Sequence, residues 1–402
     1  MATGTSEVEG ARRTRRITAA MRSEERVTPL ELFFDLVFVL ALTQCTLLMS
    51  EEPTFEGLLK GLLVLGVLWW GWVGYAWLTS VIDPEEGAVR LVIFGAMAGF
   101  LVAAIAVPHA FGDDGLVFAI AYGVVRFAQL GLFWIASDDE PELRRSIITG
   151  LTGSTTVGVT LLVIASFLDH GAQIAVWALA LGLDMAGPLF FGSKGWKLAA
   201  GHFAERHGLI VIIALGESIV AIGAGVAGDV DLGIVVAAVL GVALAAAIWW
   251  TYFDVVALVA SRRLERAEPG RVQNEMARDS YSFLHLPMIA GIVLGALGLK
   301  KTLGHVEDPL KDAPALALVG GLALYLLAHV AFRWRNVHSL NRQRTALAIL
   351  LLALFPLALQ IPALATLAIV TALMGALIAY ETRRYGESRD RVRHGDFAPP
   401  AR

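Results

Sequence analysis

Residues 345–380 read TALAILLLALFPLALQIPALATLAIVTALMGALIAY, an apolar stretch of 36 residues. A helix of about 20 residues crosses the ~30 Å hydrocarbon layer of a bilayer, so this stretch is nearly twice too long for one crossing. Gln360-Ile361-Pro362 near its middle is the natural place for a tight turn, because proline lacks the backbone donor that a continuing helix needs. The stretch therefore reads as two short helices, 11 and 12, folded back as a hairpin. Upstream, ten more apolar runs fall near residues 30–50, 58–80, 91–110, 116–136, 147–168, 173–191, 208–227, 232–259, 281–299 and 313–332. They are helices 1 to 10, and the hairpin makes the number of crossings even.

The placement of charge tests that count. With the N-terminus inside, the inner segments hold 27 of the lysines and arginines, the outer ones hold 4 (Lys60, Lys300, Lys301 and Lys311), and Arg126 lies within a span. Inner loops of membrane proteins carry the excess of basic residues. One long helix over 345–380 would put Arg383, Arg384, Arg389, Arg391 and Arg393 outside, so the same rule favours the hairpin. The expected fold is an all-α polytopic membrane protein of about 12 transmembrane helices, in a bacterial inner (plasma) membrane with both termini cytoplasmic. Its expected parts are an Arg-rich cytoplasmic tail at 1–29, a six-helix half at 30–192, a cytoplasmic connector at 193–207, a second half at 208–380 and a cytoplasmic tail at 381–402.

Composition agrees. Of 402 residues, 56% are hydrophobic and 17% charged, where soluble domains carry about 25% charged residues; the mean hydropathy is +0.66. The partner that surrounds the chain is the lipid bilayer. A formal charge of −4 is too small to imply nucleic acid. The single cysteine, Cys45, lies inside an apolar run and offers neither a disulfide framework nor a cysteine metal site. The run after the polar first 29 residues is long and lacks a small-residue cleavage site, so helix 1 is expected to stay in the membrane.

A faint repeat is visible. Residues 36–44 (LVFVLALTQ) lie on residues 209–217 (LIVIIALGE) at an offset of 173, and Trp69-Trp70 of helix 2 is echoed by Trp249-Trp250 of helix 8 at an offset of 180. Two six-helix halves would have the same orientation, related by an axis along the membrane normal.

Charges at membrane depth cost ~2.5 to 3.5 kcal/mol or more each, so they are kept where they face a partner or a wet cavity. Arg126 and Glu217 each fall about halfway along helices 4 and 7 as these are delimited above, which makes them the expected ion pair at the midplane, with Asp184 of helix 6 as the rival partner. Glu31 and Asp35 enter helix 1 from the inner side and would form an acidic vestibule with Asp184. Tyr122, Arg126 and Gln129 share one face of helix 4 by three-and-four spacing.

Residues 27–44 (VTPLELFFDLVFVLALTQ) and 202–219 (HFAERHGLIVIIALGESI) resemble the signature segments of the low temperature requirement A (LtrA) family of bacterial membrane proteins. The family's motif residues fall here on His202, Glu205, Arg206, Glu217 and Ser218, and its WW-x-YFD-like segment on Trp249, Trp250, Tyr252, Phe253 and Asp254; His207 stands where a phenylalanine is usual. The resemblance implies a multi-spanning membrane protein linked to growth in the cold. Residues 33–43 (FFDLVFVLALT) are also similar to the pore-helix signature of potassium channels built on six-helix repeats, with Phe34 and Leu36 in place of its serine and glycine.

His202 and His207 are five apart and point to different faces of a helix, which argues against a metal site with Glu205. Glu205 instead suits the positive end of helix 7. His285 and His329, in apolar helices, are expected to hydrogen-bond to carbonyls. Nothing resembles a phosphate loop, a cofactor motif or a nucleophile and base set, so the chain is not expected to be an enzyme. The leading expectation is a transporter of an unidentified small solute or ion, with helices 1 and 7 facing each other across a central axis and Gln44, Glu217, Arg126 and Asp35 near the path. The alternatives are a cation channel lined by helices 1 and 7, and a membrane scaffold or stress protein.

Overall fold

The structure is a computed structural model that describes residues 26–138, 140–190, 196–226 and 229–394. Most of the expected N-terminal tail, three residues of the connector and the last eight residues fall outside these. The described residues form α1 (Pro29–Glu51), α2 (Phe55–Val81), α3 (Gly87–Ala106), α4 (Gly115–Ala136), α5 (Pro141–Ala165), α6 (His170–Phe190) and α7 (Ala200–Gly225). They continue through α8 (Leu232–Phe253), α9 (Arg271–Gly304), α10 (Asp312–Val337), α11 (Arg342–Ala353, resuming at Phe355–Ala358) and α12 (Ala363–Arg393). Eleven helices of the described residues are long and apolar enough to cross a membrane. The twelfth pass is α11, interrupted at Leu354 ahead of Pro356.

The expected hairpin is present. Its turn is fastened to the loop between α9 and α10: Ala363 N–H donates to Asp308 O at 2.8 Å and Leu364 N–H to Val306 O at 3.1 Å. The chain then returns, so that Arg389 near the end of α12 donates from Nε to Asp254, just past α8, at 2.5 Å. Val27 N–H, ahead of α1, meets Glu205 of α7 at 3.4 Å. Both ends of the described chain therefore lie on one face of the bundle, hereafter the basic face. Two boundaries differ from expectation. Helix 7 starts at Ala200 rather than 208, inside the expected connector, and helix 12 is not short but runs on to Arg393 with a kink at Tyr385.

Local chemistry starts α1 where it does. Thr28 caps it, Pro29 occupies its first turn, and Glu31 reaches back to Thr28 N–H at 2.9 Å, completing a capping box. Between helices, α1 packs on α3 as α7 packs on α9, α3 on α4 as α9 on α10, α4 on α5 as α10 on α11, and α2 on α6 as α8 on α12. The six-helix groups meet where α1 touches α7 and α9 and where α2 touches α7 and α9.

The most enclosed helices are α2, α9 and α10, while α1 and α7 each turn about half of their length outward, through Leu32, Phe33 and Leu36 on one and Ile212, Ile219 and Val220 on the other. Helices 1 and 7 touch each other where the two six-helix groups meet, with the more enclosed α2 and α9 packed against both. α9 and α10 approach backbone to backbone, since a Cβ added at Gly291 would stand 2.5 Å from Gly321 O and 2.8 Å from Tyr325 N. Gly291→Leu is expected to lower stability by at least ~1 to 3 kcal/mol, the usual cost of overpacking, read as an earlier thermal transition in detergent. Gly295→Ala, where nothing lies within 4 Å of an added Cβ, is the control, set against Gly291→Ala.

Candidate functional site

Arg126 is buried, and three helices converge on it. Its Nη2 donates to Asp184 Oδ1 of α6 at 2.9 Å and to Thr155 Oγ1 of α5 at 2.7 Å, while its Nη1 donates to Gln129 Oε1 at 3.0 Å and to Trp70 O of α2 at 3.3 Å. Thr155 Oγ1 itself donates to Asp184 at 3.2 Å and Tyr122 OH donates to Asp184 Oδ2 at 3.4 Å. Tyr122, Arg126 and Gln129 thus share one inward face, as their spacing implied. Gly74 of α2 makes room for them, because a Cβ there would lie 2.2 Å from Gln129 Nε2. Two donors, Arg126 Nε and Gln129 Nε2, are buried with no hydrogen-bond partner among the described residues.

Arg126 and Gln129 line a cavity of about 70 Å³ that extends toward the basic face past Trp70, Trp77 and Phe133. One water needs ~10 to 15 Å³ of such space, so several waters or a small solute fit. Residues of two one-turn π-helical segments, Ile147–Thr152 in α5 and Arg278–Phe283 in α9, border it. Such wide turns recur at functional sites.

A second buried cluster joins α1, α2 and α7. Arg206 donates from Nη2 to Asp35 at 2.5 Å and from Nη1 to Thr79 at 3.0 Å, with Glu31 at 3.4 Å. His202 Nε2 lies 2.8 Å from Glu31 Oε1, and Trp72 Nε1 donates to Asp35 at 2.8 Å. The expected acidic vestibule of Glu31, Asp35 and Asp184 is corrected: Glu31 and Asp35 share Arg206, with His202 also on Glu31, and Asp184 belongs to a different cluster, on Arg126. A third cluster lies in the second half, where Arg344 of α11 holds Glu381 of α12 at 2.9 Å and meets His329 of α10 at 3.0 Å.

Glu217 does not pair with Arg126. It is buried in α7 and accepts a hydrogen bond from the Thr43 hydroxyl of α1, and no basic side chain lies within 4 Å of it among the described residues. Glu217 lies at a different depth from Arg126 because α7 begins eight residues before the apolar run at 208, which moves Glu217 toward the far face. The rival, Asp184, is the true partner of Arg126. Gln44, next to Thr43, is half-buried, and Ser218 is buried beside Glu217.

The remaining motif residues serve as struts. Asp254 is held by Arg389 and Arg393 of α12. Glu205 is exposed in the second turn of α7 and does not cap its first amides. His202 and His207 do face differently: His207 Nδ1 meets Phe203 O at 2.8 Å, amid the rings of Trp72, Tyr281 and His285. His285 meets a carbonyl, Ser280 O at 3.0 Å, as expected, but His329 meets Tyr325 OH and Arg344 instead. Thr155, Trp72, Arg344 and Glu381 were not singled out by the sequence. The last two flank the apolar stretch 345–380 and looked like ordinary interfacial charges.

These features define a class: an all-α membrane protein whose charges are buried in pairs between helices, with one carboxylate left to hydroxyl partners. The family described as bacterial low temperature requirement A protein (LtrA) matches residues 26–379, and the chain belongs to it. It is similar to an uncharacterized protein of Rhizobium meliloti (strain 1021), at 29% identity over 310 residues that cover 74% of each chain. No solved structure matches.

Proposed function

We propose that this LtrA protein is a carrier for a small solute that presents hydrogen-bond acceptors, bound in the cavity under Arg126. The observation that carries this reading is the pair of orphan donors, Arg126 Nε and Gln129 Nε2, on residues lining a cavity bordered by α2, α4, α5, α6 and the start of α9. A buried donor without a partner costs about 1 to 3 kcal/mol, which an acceptor on a bound solute or on water recovers. Trp70, Trp77 and Phe133 supply an apolar wall. Glu217, buried against Thr43, is the group available to take a proton or a cation as the coupling step.

A two-fold relation supports the carrier reading. The close pairs Glu31 with His202, Asp35 with Arg206 and Thr43 with Glu217 are separated by 171, 171 and 174 residues, near the offset of 173 at which the two motifs align. Parallel helices that touch at equivalent positions are what an axis along the membrane normal between α1 and α7 produces. Tyr122 and Arg126 of α4 are matched by Tyr325 and His329 of α10, and each half holds a buried arginine bridged to an acid of its sixth helix, Arg126 to Asp184 and Arg344 to Glu381. In this reading the basic face is cytoplasmic. A reporter active only in the cytoplasm, fused after Arg402, should be active; activity there of a periplasm-only reporter would reverse the orientation.

Uptake into liposomes tests the carrier. Gln129→Leu removes one orphan donor, so it should lower uptake of the transported solute about tenfold or more, the worth of one buried hydrogen bond to a charged group. It also takes an acceptor from Arg126 Nη1, which keeps Trp70 O, with Asp184 still on Nη2, so the thermal transition should fall less than in Arg126→Gln. Glu217→Gln should leave binding in place and abolish dependence on the coupling ion. Saturation and counterflow distinguish the carrier from a channel along α1 and α7. No flux of any ion or solute would leave the scaffold.

A further inference from the structure

A larger cavity, about 520 Å³, lies in the second half at the basic face, between α8, the short helix Val256–Glu265 that follows it, α10, α11 and α12. Four arginines line it, Arg263, Arg333, Arg344 and Arg389, against two acids, Asp254 and Glu381. Both acids are already spent. Glu381 accepts from Arg344 at 2.9 Å and from Asn341 at 3.0 Å, and Asp254 is held by Arg389 together with Arg393. Of the other two arginines, Arg333 uses Nε on Ser339 Oγ at 2.8 Å, and Arg263 has no hydrogen-bond or ion partner among the described residues. The cavity therefore keeps two positive charges that its own acids do not balance.

Its depth is marked by aromatic rings. Trp249 and Trp250 in the last turn of α8 and Trp334 in the last turn of α10 are 43%, 37% and 50% exposed. Exposed tryptophans at helix ends sit at headgroup level. Trp250 also lines the cavity, which places the cavity beside the lipid-facing surface. The planar forks of arginine match phosphate oxygens in shape and charge, and unbalanced basic pockets between helices on the cytoplasmic side hold lipid phosphates.

We infer that this cavity binds the phosphate of an anionic phospholipid headgroup through Arg263 and Arg333. The proposal does not depend on transport. The experiment uses the full chain, purified in detergent, titrated separately with phosphatidylglycerol, phosphatidylcholine and inorganic phosphate, and read by native mass spectrometry and thermal transition. Phosphatidylglycerol should be retained and should raise the transition, phosphatidylcholine should not, and the effect should weaken with salt. Arg263→Gln with Arg333→Gln, both exposed, should melt like the unaltered protein without lipid yet bind phosphatidylglycerol about tenfold or more weakly. Equal retention of the two lipids, or unchanged affinity in the double variant, would overturn the site. Displacement of phosphatidylglycerol by inorganic phosphate supports the phosphate chemistry. Binding of inorganic phosphate without retention of phosphatidylglycerol rejects a lipid as its source.

Discussion

Replacing Arg126 with glutamine is expected to remove most of the folded protein. Asp184 would keep Thr155 and Tyr122 as hydrogen-bond donors but lose its one cation among the described residues. Breaking a buried pair from one side costs ~3 to 5 kcal/mol, while replacing both members is often nearly neutral. Against a total stability of about 5 to 15 kcal/mol that loss is severe. Arg126→Gln combined with Asp184→Asn should recover much of the yield and of the thermal transition. Uptake separates the roles: recovery of stability without uptake makes Arg126 part of the solute site, and recovery of both makes it a strut. A double variant as unstable as the single one would show that the pair is not coupled.

Arg206→Gln should be of similar severity, for a related reason. Asp35 has Arg206 as its only cationic partner among the described residues, and its Oδ2 already lacks a hydrogen bond. Glu31 would retain His202. The expected loss is again ~3 to 5 kcal/mol, measured as folded yield after extraction and as thermal transition. Arg206→Gln with Asp35→Asn should restore much of it, whereas Arg206→Gln with Glu31→Gln should restore less. Equal rescue by both would mean that the charge is shared across the cluster rather than owed mainly to Asp35.

The number of passes and the hairpin were legible because they depend on length, proline and charge, all properties of one segment at a time. Which residues share a face was legible too, as Tyr122, Arg126 and Gln129 demonstrate, because helical period is local. Which helix that face meets is not local, and the choice of Glu217 over Asp184 failed there. A usable signal was present in the second cluster. Glu31 and Asp35 are four apart on one helix, and His202 and Arg206 are four apart in the other motif, so the two pairs lock in register once α1 and α7 run parallel. Reading 193–207 as a connector hid this, since a segment with His, Glu and Arg looks solvated until its helix is known to start at Ala200. Arg344 and Glu381 were hidden in the same way, by helices that continue past the end of the apolar run.

The contact from Asp35 to Arg206 also sets a schedule for making the protein. Its two residues are 171 apart in the chain, and at a synthesis rate of ~5 to 20 residues per second the arginine follows the aspartate by about 10 to 30 s. During that interval α1 and five later helices leave the ribosome while Asp35 has no cation to meet. Trp72 of α2 is made in time to donate to Asp35, but the arginine that Asp35 meets in the folded protein is made only with α7, so the contact that completes the opening helix joins the two halves of the chain. The last step in securing the start of the chain belongs to its second half.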